Sequence, residues 1–144
     1  MNKIRMIALA ACMAATLDAS AQEQEIRLFS HRGGRMEHDE NTLSAFQASY
    51  DAGYRGFETD IRMTRDGALV ITHDSSLERT TDGTGTVEEK TEAEIRRLRT
   101  KQGNKVLFLD ELLEFLKGKE GLYVEFEMKT KPVELYPEER LHAY

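Results

Sequence analysis

Cysteine, proline and tryptophan are scarce in this chain of 144 residues, which has one cysteine, two prolines and no tryptophan. A single thiol closes no intrachain disulfide, so folding cannot lean on cross-links. Basic residues are in deficit too, 20 against 26 acidic ones, for a net charge of −6. A nucleic-acid partner is therefore not expected, because binding phosphates by displacing their counterions needs a basic face. Long apolar runs are missing as well. The longest, from Met6 to Leu17, falls short of the ~20 residues a helix needs to span a bilayer, so no stable membrane span is expected. What remains is 40% hydrophobic and 32% charged, the balance of a soluble globular chain of one domain at most.

The first stretch reads as an export signal rather than as part of the fold. Lys3 and Arg5 precede the apolar run, and Ala19-Ser20-Ala21 supplies small residues before Gln22, the layout of a secretory signal peptide over residues 1–21 with cleavage after Ala21. Lipidation at Cys12, from Leu9-Ala10-Ala11-Cys12, is the second reading. Cleavage leaves 123 residues without cysteine and predicts a periplasmic or secreted protein.

Along the mature chain, short extended runs alternate with helical ones. Residues 26–30 predict a strand, and Glu40-Asn41-Thr42 opens a helix with Leu43, Phe46 and Tyr50 on its greasy face and a stop at Gly53. Phe57, Thr59 and Ile61 alternate with Glu58, Asp60 and Arg62, which puts two carboxylates on one face of a second strand. Asp66-Gly67 then predicts a hairpin. With a two-residue loop, Asp60 falls opposite His73. Thr91 and Glu94 form a capping box ahead of inward Ile95 and Leu98. A further helix over 109–116 has Leu109, Leu112, Leu113 and Leu116 on one side. In the strand predicted over 122–130, Glu125, Glu127 and Lys129 share one face and Val124, Phe126 and Met128 the other, and Pro137 with Glu138 and Glu139 starts a last helix.

Phe29-Ser30-His31-Arg32-Gly33-Gly34, Glu40-Asn41-Thr42, Glu58-Thr59-Asp60, Thr64-Arg65-Asp66-Gly67, His73-Asp74 and Glu127-Met128-Lys129 resemble, in order and spacing, the glycerophosphodiester phosphodiesterase family. The likeness runs from about residue 26 to 130, with two departures: Asp39 stands where the family usually has proline, and the helix after Phe108 lacks the usual threonine cap. The resemblance implies an α/β fold of the TIM (β/α)8 barrel type, a divalent cation, and hydrolysis of a small-molecule glycerophosphodiester to glycerol 3-phosphate and an alcohol.

By position, Glu58, Asp60 and Glu127 match the family's metal ligands. Clustered carboxylates raise one another's pKa unless a cation intervenes, and an all-oxygen donor set points to Ca²⁺ or Mg²⁺ rather than Zn²⁺. The plainer alternative is a strand with solvated acids. His31 and His73 match the paired catalytic histidines, and cleaving a phosphodiester needs one base for the attacking oxygen and one acid for the leaving one, roles that two imidazoles can fill near neutral pH. The residues do not say which is which. Arg32 and Lys129 are expected to hold the phosphate oxygens, or else to balance the carboxylates, and Glu40-Asn41 has as its simplest role the opening of the first helix.

A full barrel takes about 250 residues, so the mature chain is expected to hold roughly the N-terminal half. A half barrel leaves strand edges unpaired and is expected to dimerise, aggregate or stay partly molten. Two functions follow from that: the N-terminal part of an exported, metal-dependent phosphodiesterase, or a non-catalytic exported fragment that binds a divalent cation or a partner chain.

Overall fold

The computed structural model describes residues 26–144; the expected signal peptide, its cleavage site and Cys12 lie outside the described residues. Among the described residues eight strands and α-helices follow one another: β1 (Phe29–His31), α1 (Leu43–Asp51), β2 (Gly56–Met63), β3 (Leu69–Ile71), α2 (Glu92–Ile95), α3 (Leu109–Leu116), β4 (Tyr123–Met128) and α4 (Glu138–Ala143), with short 3-10 turns at Val87–Glu89 and Val133–Leu135. β2 is the hub of an open four-stranded sheet. β4 pairs with it in parallel along 56–61, Asp60 facing Glu127. The opposite edge is shared by β1, parallel against 56–58, and β3, antiparallel against 61–63. Parallel strands joined through helices, with one added hairpin, make an α/β layout that forms part of a barrel.

The alternation in β2 decides what each face does. Phe57 and Ile61 point outward into a core shared with Phe46 of α1, Ile71, Leu107 and Leu112 of α3. Phe46 and Phe57 meet edge to face at 5.6 Å. α1 is capped by Thr42, whose hydroxyl accepts from the Ala45 N–H, in agreement with the sequence. Gly56 has no room for a side chain: a Cβ there would meet the carbonyl of Leu28, the residue before β1, at 2.5 Å.

Three expectations need correction. The hairpin register is Ile61 with Ile71 and Met63 with Leu69, one residue away from the two-residue loop, so Asp60 faces Thr72, whose N–H it accepts at 3.0 Å. The cause is a longer turn, in which Gly67 adopts φ 92° and donates to the Thr64 carbonyl while Thr64 and Ala68 close the loop; three-residue loops of this kind use a left-handed glycine. β1 starts at Phe29, later than predicted. Finally, Leu113 is 51% exposed, and Phe115 with Leu116 packs on the core in its place.

Residues 75–108 build a second core of Leu77, Val87, Ile95, Val106 and Phe108 around Val70. Since Val70 opposes Arg62, this insertion packs on the carboxylate-bearing face, beside the strand ends where the candidate chemistry lies. At the far edge, Phe126 and Met128 of β4 are 38% and 43% exposed, and among the described residues no strand pairs beyond it.

Candidate active site at the strand ends

Glu58 and Asp60 project from β2 on the face opposite the core, and the register brings Glu127 of β4 alongside Asp60. One carboxylate oxygen from each of Glu58, Asp60 and Glu127 lies within 4.8 Å of the other two. Such a distance suits a shared hard cation, whose oxygen ligands sit 2.0–2.6 Å from the ion. These are the three carboxylates that the sequence offered as candidate ligands, brought together by parallel pairing of segments that are far apart along the chain.

The Asp60 side chain is fully buried. Its Oδ2 accepts from Asn41 Nδ2 at 3.0 Å and lies 3.3 Å from Arg32 Nε. Oδ1 lies 3.2 Å from Lys129 Nζ but outside hydrogen-bonding geometry, and it has no hydrogen-bond partner. A buried carboxylate oxygen with no hydrogen bond carries a desolvation cost that a bound cation would remove. The charge balance agrees: Glu40, Glu58, Asp60, Asp74 and Glu127 stand against Arg32, Arg79 and Lys129, all but Glu58 joined to these cations by ion pairs, so that with the histidines counted as neutral two negative charges are left for a divalent ion. Burial, and then the negative charge of Asp60, push the Glu58 carboxyl above its usual range. The donor set therefore fits the group.

Arg32 and Lys129 both reach the site, and each is already paired. Arg32 Nη1 donates to Glu40 Oε1 at 3.2 Å, and Lys129 Nζ sits 2.6 Å from Glu127 Oε1. For Lys129, burial opposes the charge, but the ion pairs with Glu127 and Asp60 outweigh it and hold the ammonium above its usual pKa. The Arg32 backbone is left-handed at φ 54°, its N–H donating to the Glu58 carbonyl at 2.9 Å. Asn41 is left-handed as well, at φ 57°. A non-glycine residue there costs on the order of 1–3 kcal/mol, a strain that is found at sites where position matters.

His31 ends β1, with Nε2 3.5 Å from Glu58 Oε2. His73 follows β3, and its Nδ1 lies 2.6 Å from Asp74 Oδ1. Asp74 also accepts from Arg79 Nε, and Arg79 clasps Glu40 with Nη1 at 3.0 Å and Nη2 at 2.7 Å. Burial works against ionisation of Asp74, yet hydrogen bonds from Arg79 and His73 bring its carboxyl down to about 2. An unbroken chain of contacts thus runs from His73 through Asp74, Arg79, Glu40 and Arg32 to Asp60 and the carboxylate cluster. Either imidazole sits beside a carboxylate that can orient it.

Sequence reasoning missed the partners of the candidate residues. Asp74 was legible only as a motif neighbour of His73, and Arg79 carried no signal, since its partner Glu40 is 39 residues away. Glu40 and Asn41 do more than open α1: Glu40 holds the two arginines, and Asn41 accepts from Thr59 Oγ1 at 3.0 Å while donating to Asp60. Outside the cluster, Arg96 is stacked on Phe108 at 3.9 Å and paired to Glu92, Asp110 and Glu111.

Comparison with known proteins is consistent with this geometry. The model of the glycerophosphoryl diester phosphodiesterase family matches residues 31–143. A glycerophosphodiester phosphodiesterase from Caldanaerobacter subterraneus is 37% identical over 123 residues, 79% of this chain and 50% of the relative. The crystal structure of a glycerophosphoryl diester phosphodiesterase from Parabacteroides distasonis superposes with a TM-score of 0.67 at 32% identity, over 83% of this chain and 42% of that one. A phosphodiesterase from Oleispira antarctica, solved with the product sn-glycerol-3-phosphate, gives 0.67 at 27% identity, over 77% and 51%. The chain spans about half the length of the relatives it matches, and its open sheet is the corresponding part of a TIM barrel.

Proposed function

We infer the function from the premise that this chain belongs to the glycerophosphoryl diester phosphodiesterase family: it carries the metal-binding and acid/base half of an exported enzyme that hydrolyses glycerophosphodiesters to glycerol 3-phosphate and an alcohol. The observation that carries the reading is the convergence of Glu58, Asp60 and Glu127 around a buried Asp60 oxygen that accepts no hydrogen bond, with His31 against Glu58. Export rests on the layout of residues 1–21.

Glu58, Asp60 and Glu127 would hold Ca²⁺ or Mg²⁺, which when bound supplies positive charge to a phosphate oxygen. The chain's own residues do the rest. Arg32 and Lys129 border the carboxylates and present further donors to the phosphate as its charge grows. One of His31 and His73 takes the proton of the attacking water, the P–O bond to the alcohol breaks, and the other returns a proton to the departing oxygen. With its Nδ1 turned to Asp74, His73 keeps Nε2 free for that exchange.

Release of glycerol 3-phosphate from glycerophosphocholine by the full chain, with Ca²⁺, with Mg²⁺ and with chelator, tests this. Metal-dependent release lost in His31→Ala supports it. A metal-dependent rise in melting temperature without turnover favours instead a cation-binding fragment.

A further inference from the structure

Beyond the carboxylate cluster, the same face of β2 carries a second buried ion pair for which the chemistry above has no use. Arg62, 6% exposed, meets Glu88, whose carboxylate is fully buried, at 2.7 Å. Desolvating two charges costs several kcal/mol per ion, and apolar residues of similar volume are often at least as stabilising, so a buried pair is weak evidence for stability. Its bonds point to a different role.

Arg62 Nε donates to the carbonyl of His73 at 2.9 Å, and Nη1 donates to the carbonyl of Lys131, two residues beyond Lys129, at 2.8 Å. Glu88 takes up the other side of the same loop, Oε2 accepting from Ser75 Oγ at 2.6 Å. Oε1 accepts additionally from Tyr136 OH at 2.7 Å. Backbone bonds complete the clamp, Val87 N–H to the Ser75 carbonyl at 2.9 Å and Leu77 N–H to the Gly85 carbonyl at 3.0 Å. Residues 73 and 75 are therefore tethered on either side of Asp74 to one rigid pair, whose arginine is fixed in β2 two residues from Asp60.

We propose that the Arg62–Glu88 pair is a positioning device, through which the insertion of residues 75–108 sets the place of His73 relative to the β2 carboxylates. This rests on the reading that His73 acts on the phosphodiester. A guanidinium suits the task because its planar fork bonds two carbonyls and a carboxylate at once, which an ammonium cannot do in the same geometry.

Three single variants of the full chain separate positioning from bulk stability. Arg62→Lys keeps the charge beside Glu88 but removes the Nε tether to His73. Ser75→Ala removes the second side-chain tether, the bond to Glu88, and keeps the backbone bond from Val87. Tyr136→Phe removes an equal bond to the same carboxylate while leaving both tethers in place. The readouts are the melting temperature, the ¹H–¹⁵N signals of the His73 ring, and kcat and KM for glycerophosphocholine with Ca²⁺ or Mg²⁺. The expected result is shifted or broadened His73 ring signals in Arg62→Lys and Ser75→Ala but not in Tyr136→Phe. With them goes a fall in kcat of about 10- to 100-fold, at little change in KM, because displacement of about 1 Å at a reacting group costs that much. If Arg62→Lys does not fold, Ser75→Ala against Tyr136→Phe decides alone. His73 signals unchanged in the folded tether variants, or changed equally in Tyr136→Phe, overturn the proposal. Wild-type turnover in His73→Ala would instead remove the reading beneath it, and the ring signals, which need no turnover, still decide whether the pair places His73.

Discussion

Arg79 grips Glu40 with both terminal nitrogens, at 3.0 and 2.7 Å, and gives its Nε to Asp74. One guanidinium from the insertion thereby ties the loop after β1 to the carboxylate that touches His73. Planar two-point contacts of this kind fix geometry as well as charge.

Replacing Asp74 by Asn should leave the fold intact and lower turnover. Its carboxylate sits 2.6 Å from His73 Nδ1, so the substitution removes the negative charge that favours one tautomer and steadies the imidazolium. A loss of about 10²-fold in kcat is expected, at the lower end of what general acid/base catalysis provides. Steady-state kinetics beside His73→Ala would check it, and a full-rate Asp74→Asn enzyme would count against a proton-transfer role for His73.

The same carboxylate sets an acid limit. Asp74 has a folded-state pKa of about 2 against an ordinary 3.8, and Glu40 is lowered as well, chiefly by its bonds to Arg79. Groups with depressed folded values bind protons more readily when unfolded, so their stabilisation is fully present above the unfolded pKa and is lost as pH falls through the folded one. Melting temperature should drop as pH falls from about 4 towards 2, and Asp74→Asn should flatten that slope. Parallel slopes for the two proteins would place the acid sensitivity elsewhere.

Neighbouring carboxylates should answer mutation with opposite signs when no metal is present. Glu58 is desolvated and repelled by Asp60, which pushes its pKa up, so its ionised form opposes folding at neutral pH and Glu58→Gln should hold or raise the melting temperature. Asp60→Asn should lower it, since Arg32 and Lys129 lose a buried counter-charge; breaking a buried pair costs about 3–5 kcal/mol. Both variants should weaken Ca²⁺ or Mg²⁺ binding in a calorimetric titration. Unchanged titrations in both would move the metal site away from these residues.

A methyl group at Gly56 should disturb β1 and with it His31. The added Cβ would sit 2.5 Å from the Leu28 carbonyl oxygen, and backbone cannot yield as a side-chain tip can. Gly56→Ala is expected to cost about 1–3 kcal/mol, the usual range for overpacking, seen as a lower melting temperature. An unchanged melting temperature in Gly56→Ala would show that β1 gives way without cost.

Much was legible because it is periodic or local. The two-residue alternation of 57–62 placed Glu58 and Asp60 on one face, the spacing of leucines gave α3 its bounds, and Thr91 with Glu94 marked α2 by its capping box. The hairpin at Asp66-Gly67 was legible in kind but not in phase. A three-residue loop and a two-residue one share that dipeptide, and one residue of slip moves the partner of Asp60 from His73 to Thr72.

The sequence by itself determined the alternation of strand and helix and the shared face of Glu58 and Asp60, because each is written in spacing over a few residues, and it offered the candidate site residues through the family resemblance of its motifs. Only the tertiary structure decided that Asp60 keeps a buried oxygen without a hydrogen bond, that Glu40 and Arg79 join two loops, and that Arg62 and Glu88 brace the loop of His73. Those contacts close over 11 to 39 positions of chain, and which distant charges meet is set by how sheet, helices and insertion pack together, which no local pattern encodes.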